Sequence, residues 1–177
     1  MQIRPLQKAD TKGGFTCGVP ALDLYFAKHA WTHESASVAR VYVLEDDQAS
    51  GAIVVGYYTL SARAVDRERL LVPLPGGAFP KRPLPVFYIG CFAVAKGRQG
   101  QGLGRRLMGD ALRRCLDGLE AIGSVGISLD SCDEASTLFY QGLGFELIPH
   151  LPSMTAPYPQ PMFLPMKTLQ LARPAGT

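Results

Sequence analysis

The stretch that decides the fold runs from Phe92 to Met108 and reads Phe-Ala-Val-Ala-Lys-Gly-Arg-Gln-Gly-Gln-Gly-Leu-Gly-Arg-Arg-Leu-Met. Its apolar start ends in a glycine-rich turn, and an amphipathic pattern that predicts a helix follows. Glycine occupies every second position from Gly100 to Gly104, and without Cβ atoms the backbone N–H groups can approach a ligand closely. The start of a helix carries unpaired N–H groups and partial positive charge, so anions bind there. Arg105 and Arg106 occupy a first turn that normally favours acidic side chains, so the stretch predicts a site for a phosphate-bearing ligand.

The composition fits one folded domain and excludes several other classes of protein. Of the 177 residues, 47% are hydrophobic and 19% are charged, which is typical of a globular chain. The net charge of +3 permits an anionic partner without requiring a nucleic acid. No apolar run approaches the length of about 18 residues that predicts a membrane span, and the N-terminus lacks a signal peptide pattern. We therefore expect a cytoplasmic protein without a membrane segment, with reduced and mostly buried cysteines, one domain over residues 1–171 and a frayed tail over 172–177.

Short β-branched or apolar runs predict strands, and longer runs with apolar residues three or four positions apart predict helices. Strands are predicted at residues 2–6, 38–45, 52–63, 86–94, 125–129, 145–148 and 162–169, and helices at residues 18–33, 102–119 and 133–143. Asp133 is the expected N-cap of the last helix and Gly144 its expected stop. Turns or loops are expected at 46–51, at 66–85 with one helical turn at 67–71, and at 149–161. This order predicts an α/β or α+β fold in which helices flank both faces of a central, mixed, twisted sheet.

Two common phosphate-binding motifs do not fit the glycine turn. A P-loop requires Lys followed by Ser or Thr after its last glycine, whereas Arg105 and Arg106 follow Gly104. A dinucleotide-binding motif that starts at Gly100 would need a glycine at position 105 and an acidic residue ending a second strand about 20 residues further on. Nucleotide hydrolysis and dinucleotide binding are therefore disfavoured.

The pattern that does fit is Gln-x-x-Gly-x-Gly at Gln99, Gly102 and Gly104. Together with a second motif, Phe139-Tyr140 followed by Gly144-Phe145, it resembles the GNAT family of N-acetyltransferases. The resemblance implies the GNAT fold, acetyl-CoA as cosubstrate, a turn whose amides hold the coenzyme pyrophosphate, and no metal. The residues that it implies for coenzyme binding are Phe92, Ala93, Val94, Gln99, Gly100, Gln101, Gly102, Leu103, Gly104 and Arg105. The alternative is a tight turn that only links a strand to a helix.

The same resemblance implies the catalytic groups. Tyr140 matches the tyrosine general acid of the family, and its unperturbed pKa of about 10 is close to that of an alkyl thiol. The alternative is that Tyr140 only packs beside Phe139. The backbone N–H of Val94 is the expected donor to the oxyanion. No general base stands out, because all the candidates read more readily as surface residues: His29, His33, His150, Glu34, Glu45 and Asp66.

Two further segments resemble the toxin branch of the family. They are Phe15–Tyr25, which reads Phe-Thr-Cys-Gly-Val-Pro-Ala-Leu-Asp-Leu-Tyr, and Val55–Ala62, which reads Val-Gly-Tyr-Tyr-Thr-Leu-Ser-Ala. The resemblance implies acetylation of the amino group of aminoacyl-tRNA, which blocks translation, and neutralisation by a ribbon-helix-helix antitoxin. A homodimer is a further expectation. The basic residues expected to meet RNA phosphates are Lys81, Arg82, Arg98 and Arg106.

One position departs from the toxin pattern. Where that branch commonly has Gly-Arg-Leu-Ala-Val, this chain has Gly90-Cys91-Phe92-Ala93-Val94, so cysteine replaces the arginine. A buried thiol is the expected role of Cys91, because a catalytic cysteine needs a basic partner and no histidine is near in sequence. Two alternatives stay open: a GNAT enzyme that acetylates a small amine or a protein N-terminus, and a catalytically weak binding module.

Overall fold

The computed structural model describes residues 1–47, 53–66, 70, 82–148 and 158–172. Several expectations concern positions outside these ranges. They are the tip of the turn at 48–51, the helical turn at 67–71 apart from Leu70, most of the proline-rich loop with Lys81, the connection at 149–157 with His150, and the tail from residue 173.

Seven strands and five α-helices form the described chain. The strands are β1 Gln2–Pro5, β2 Arg40–Asp46, β3 Ile53–Val65, β4 Leu84–Val94, β5 Gly126–Ser131, β6 Glu146–Leu147 and β7 Gln160–Pro165. The helices are α1 Pro20–Lys28, α2 Ala30–Ser35, α3 Leu103–Gly118, α4 Glu134–Gln141 and α5 Met166–Leu171. Two 3-10 helices lie at Lys8–Lys12 and Lys96–Arg98. None of the helices in these ranges combines the length and apolar character that crossing a membrane requires.

The strands form one sheet in the order β1-β2-β3-β4-β5-β7-β6, which confirms the predicted α/β class. Strand β2 pairs antiparallel with β1 and β3, and a register shift interrupts the second pairing between Leu44 and Glu45. Strand β7 pairs antiparallel with β5 and β6, and it places Leu164 opposite Ile127. The described chain groups into two compact units.

The first unit comprises Met1–Ser61 and Ile89–Arg114. Its core lies between α1 and the sheet, where Phe26 and Tyr57 pack with ring centroids 4.7 Å apart. The Tyr57 hydroxyl donates to the Leu22 carbonyl at 2.8 Å, so a buried ring of β3 fixes the start of α1. Pro20 occupies the first turn of α1, where its missing N–H would have had no partner.

The second unit comprises Ala62–Tyr88 and Cys115–Thr177. Its core includes Phe163 of β7, Val86 of β4 and Leu84 of β4, all nearly inaccessible to solvent. Asp133 caps α4 as predicted, since its side chain accepts the Ser136 N–H at 2.7 Å.

Two predicted boundaries are wrong, and the glycine stop of α4 is confirmed. The helix expected at 18–33 is divided at His29, where the backbone departs from ideal helical dihedrals (φ −117°). The predicted stop of α4 is confirmed: Gly144 takes the left-handed φ of 91°, its N–H donates to the Gln141 carbonyl at 2.9 Å, and the Phe145 N–H donates to the Tyr140 carbonyl at 3.1 Å, which are the two bonds of a glycine C-cap motif. The strand expected at 162–169 ends at Pro165, and α5 follows. There the Met166 N–H donates to the Val125 carbonyl at 3.0 Å and the Met166 side chain is buried, so anchoring at the start of β5 turns the chain out of the sheet.

Candidate active site

The glycine turn joins β4 to α3 inside the first unit. Gly100 and Gly102 have φ of 72° and 78°, a backbone conformation that residues other than glycine rarely adopt. A Cβ atom built on either glycine would have no protein atom within 4 Å. Backbone conformation, and not crowding by the protein, therefore requires glycine here, and the space beside both residues is open.

The turn presents a run of unpaired donors. Within the part of the chain that the structure describes, none of the backbone N–H groups from Gln99 to Arg105 donates to a protein acceptor. The first helical bond comes later, from the Arg106 N–H to the Gly102 carbonyl at 3.2 Å. Unpaired N–H groups at the positive end of a helix fit a ligand with several anionic oxygens, as a pyrophosphate has.

Contacts with the N-terminal segment and with β4 hold the turn in place. The side-chain amide of Gln99 donates to the carbonyls of Cys17 and Val94, both at 3.0 Å. The Lys96 N–H donates to the Thr16 carbonyl at 2.9 Å. The Gln99 side chain thus supports the turn, while its backbone N–H belongs to the unpaired run. The sequence did not predict that Thr16 and Cys17 support the turn. They act through backbone carbonyls, which any residue has, and they lie about 80 residues before the turn.

The direction of the Val94 N–H can be inferred from the hydrogen bond of the next residue. The next amide, that of Ala95, donates to the Val55 carbonyl of β3 at 2.9 Å. Successive amides of an extended chain point in opposite directions, so the Val94 N–H points away from β3. This orientation is compatible with donation to a ligand, and the catalytic role of Val94 stays a prediction.

The three arginines around the turn differ in their contacts. Arg98 forms an ion pair with the buried carboxylate of Asp46. Arg106 donates to the Met1 carbonyl at 2.6 Å. Arg105 is exposed, and its guanidinium contacts no acceptor within the described ranges. Arg105 is therefore the arginine best suited to meet a ligand phosphate, while the positive charge of Arg98 is largely offset by Asp46.

Tyr140 lies on α4 in the second unit and is 7% exposed. Burial raises the pKa of its phenol, with a further rise from Cys132 and Asp133, so the hydroxyl keeps its proton at neutral pH. Its ring packs against Phe139 and Phe145 at centroid distances of 5.3 and 6.0 Å. Tyr140 thus does pack beside Phe139, as the alternative interpretation expects. Its role as general acid stays a prediction.

Cys91 and most of the candidate bases have structural partners. The Cys91 N–H donates to Thr59 Oγ1 at 2.9 Å, and its half-buried side chain packs on the core of the first unit. Glu34 accepts the Val41 N–H at 2.5 Å, and Glu45 pairs with Arg4 at 2.7 Å. His33 lies 3.2 Å from the Tyr25 hydroxyl. None of these contacts gives a group the features of a general base.

The glycine turn with its exposed arginine, in the first unit, and the protonated phenol, in the second, are groups typical of an acyltransferase that uses a phosphate-bearing coenzyme. Residues 37–147 match the family described as acetyltransferase (GNAT) domain. The chain is also 30% identical over 148 residues to a protein named tRNA-acetylating toxin from Mycobacterium tuberculosis (strain ATCC 25618 / H37Rv), covering 82% of this chain and 84% of the relative. This chain therefore belongs to the GNAT acetyltransferase family.

Solved structures of a second relative, the toxin AtaT, have the same fold. The crystal structure of AtaTR bound with AcCoA has a TM-score of 0.77 and 27% identity, with 96% of both chains covered. AtaT complexed with acetyl-methionyl-tRNAfMet has a TM-score of 0.79 and 26% identity over 96% of this chain and 97% of AtaT. A tyrosine-to-phenylalanine mutant of AtaT bound to the C-terminus of the antitoxin AtaR has a TM-score of 0.75 and 25% identity over 96% of both chains.

Proposed function

We propose that this chain is an acetyl-CoA-dependent N-acetyltransferase that acts as a toxin by acetylating the amino group of aminoacyl-tRNA, which blocks translation. The unpaired N–H groups from Gln99 to Arg105 are the observation that carries the coenzyme part of this proposal. The acceptor part is supported by the tRNA-acetylating relative and by AtaT, which is seen with acetyl-methionyl-tRNAfMet.

The residues present fit the coenzyme. The turn from Gln99 to Arg105 would hold the pyrophosphate, and the Phe92–Val94 segment of β4 would complete the site. When bound, acetyl-CoA supplies an acetyl group activated as a thioester. The open space beside Gly100 and Gly102 supports this assignment, because a phosphate can approach the backbone there without meeting a side chain.

The chain itself has three chemical tasks during transfer of the acetyl group. As the amine nitrogen bonds to the acetyl carbon and the carbon–sulfur bond breaks, negative charge develops first on the carbonyl oxygen and then on sulfur. The Val94 N–H would donate to the oxygen. The Tyr140 phenol, which is protonated at neutral pH, would give its proton to the departing sulfur. The third task, removal of the proton from the amine, needs little from the protein, because the α-amine of an aminoacyl ester has a lowered pKa and can lose its proton to water.

The proposed partners follow from the same comparison. AtaT is bound by the antitoxin AtaR, and we expect an antitoxin to neutralise this chain too, with the ribbon-helix-helix class and a homodimer as further proposals. Charged tRNA is found in the cytoplasm, which is the location that we propose.

The test is incubation of the purified chain with acetyl-CoA labelled in the acetyl group and with charged tRNA. We expect label on the aminoacyl group, and none on uncharged tRNA or on tRNA whose aminoacyl amine is already blocked. The Tyr140→Phe variant is the matched control for catalysis. Absence of label on charged tRNA, together with labelling of small amines or peptide N-termini, would refute the acceptor and favour the alternative acetyltransferase. Coenzyme binding without transfer to any amine would favour the binding module.

A further inference from the structure

A cavity of about 330 Å³ lies within the second unit. Its walls are formed by the end of β3, by β5, by the start of β7 and by Ile148, which follows β6, and Val65 and Ile148 provide apolar surface. Small-molecule sites span about 300–1,000 Å³, so this volume suits a group the size of an amino acid and is too small for a nucleic acid stem.

The charged groups that line the cavity carry net negative charge, and one of them, Asp130, is held by two neighbours. Asp130 Oδ2 accepts the Tyr88 hydroxyl at 2.7 Å and Arg63 Nη1 at 3.1 Å, and the Arg63 guanidinium lies 4.2 Å from the centre of the Tyr88 ring. Asp66 adds a second carboxylate to the lining, which thus carries one guanidinium and two acidic groups. No donor from the described ranges reaches Asp130 Oδ1. A positioned carboxylate oxygen without a donor favours a ligand that brings an N–H group.

Ser128 supplies a second, independent indication of a ligand. It lines the cavity and is 2% exposed, and its hydroxyl has no hydrogen-bond partner in the described part of the chain. A buried hydroxyl without a partner destabilises a fold, so such groups are uncommon unless something else satisfies them. Ser128 and Asp130 are two residues apart on β5 and therefore point to the same side of the sheet.

The strand that carries these two residues is attached to the helix that carries Tyr140. At the end of β5, the Ser131 hydroxyl accepts a hydrogen bond from Thr137 Oγ1 of α4 at 2.8 Å, and both groups are buried. Thr137 lies three residues before Tyr140 on that helix. A buried hydrogen bond within the second unit therefore connects β5, which lines the cavity, with α4, which carries the proposed acid.

We infer that this cavity binds the aminoacyl group of the acceptor, an inference that rests on the proposed function. The α-amine donates an N–H to Asp130 Oδ1, in its neutral or its protonated form. The Ser128 hydroxyl donates to the carbonyl of the aminoacyl ester, and the amino acid side chain contacts Val65 and Ile148. Asp130 and Ser128 are thus substrate-binding residues, while Arg63 and Tyr88 position the carboxylate.

The test is equilibrium binding of a hydrolysis-resistant probe, an amino acid joined by an amide to the 3′ position of 3′-amino-3′-deoxyadenosine. Its matched analogue carries a hydroxyl in place of the α-amine. We expect the analogue to bind the unmodified chain about 10-fold more weakly than the probe. Asp130→Asn should weaken probe binding about 10-fold and reduce the preference for the amine. Glu146→Gln changes an exposed carboxylate on β6 of the same unit and should leave binding unchanged.

Ser128→Ala keeps the inference testable if Asp130→Asn does not fold. It removes a buried hydroxyl that has no partner in the described part of the chain, so we expect a melting temperature at or above that of the unmodified chain and a probe affinity about 5-fold lower. A loss of affinity in a variant that is no less stable cannot come from damage to the fold.

The outcomes separate this inference from the proposed function. Unchanged probe affinity in both variants, with transfer to charged tRNA intact, overturns the cavity assignment and leaves the function standing. Affinity that depends on Asp130 and Ser128, without any transfer to charged tRNA, supports an amine site and refutes the function. Tighter binding of a free peptide amine than of the nucleoside-linked probe would assign the cavity to a protein N-terminus and overturn the inference.

Discussion

Replacing Gly102 with alanine distinguishes two reasons for a glycine at this position: the backbone conformation of the turn and the space that the coenzyme needs. Gly102 has a φ of 78°, and an added Cβ would have no protein atom within 4 Å. The substitution therefore changes only two things, the backbone strain and the space beside the turn.

The strain has a predictable size. A left-handed conformation costs a non-glycine residue about 1–2 kcal/mol, which for a chain of this length lowers the melting temperature by about 2–8 °C. The strain is present in the free and in the bound protein, so it cancels in the dissociation constant of acetyl-CoA. A Cβ that displaces a phosphate oxygen from even one N–H removes a charge-assisted hydrogen bond of about 1.5–3 kcal/mol, a loss of about 10- to 150-fold in affinity.

Both quantities are measured on the same preparations, by thermal unfolding and by calorimetric titration with acetyl-CoA. Gly109→Ala is the matched control, because Gly109 lies inside α3 with open space around its Cβ position. We expect that variant to be more stable by about 0.5–1 kcal/mol, with unchanged affinity. A Gly102→Ala variant that is less stable but binds acetyl-CoA as tightly as the unmodified chain would refute the coenzyme role of this glycine.

Three further predictions concern the phenol, the helix cap and the arginines. Tyr140→Phe should lower kcat for charged tRNA by about 100-fold or more while the acetyl-CoA dissociation constant stays nearly unchanged; an equal kcat would remove Tyr140 as the acid. Asp133→Ala should reduce the free energy of unfolding by about 1 kcal/mol at pH 7, measured by denaturant titration. Its hydrogen bond from the Ser136 amide lowers the pKa of Asp133, so the stabilisation exists above the unfolded pKa of about 4 and the difference between the two proteins should vanish as pH falls through the lower folded value; a difference that persists in acid would contradict this origin. Arg105→Ala should weaken acetyl-CoA binding about 5-fold without changing the melting temperature, whereas Arg98→Ala, which removes an ion pair of a buried carboxylate, should lower the melting temperature; the reverse pattern would contradict the roles inferred from their contacts.

Local patterns predicted the elements whose cause is local. Asp133 caps α4 and Gly144 ends it, because an N-cap and a glycine stop depend only on the residues of the nearest turn. The apolar run before the glycine turn likewise identified β4, and the apolar spacing after it identified α3.

Contacts between distant residues explain what the sequence did not predict. The sequence prediction extends the last strand to residue 169, yet the Met166 N–H donates to the Val125 carbonyl outside the sheet pairing and the segment, in which Met, Lys and Leu favour helix, forms α5. The ion pair of Arg98 with Asp46 joins residues 52 positions apart, so an arginine that reads as a phosphate ligand has a protein partner. The unpaired Ser128 hydroxyl in the described part of the chain depends on the packing around β5, which no spacing of residues encodes.

The hydrogen bonds of Gln99 to residues outside the turn limit how far the chain can be shortened. The matched acetyltransferase region covers residues 37–147, but the carbonyls of Thr16 and Cys17 that hold Lys96 and Gln99 lie before it. A fragment trimmed to the boundaries of the family would keep every glycine of the coenzyme motif and still lose two of the hydrogen bonds that set its shape. Domain boundaries drawn from sequence similarity alone would thus remove part of the support on which the conformation of the turn depends.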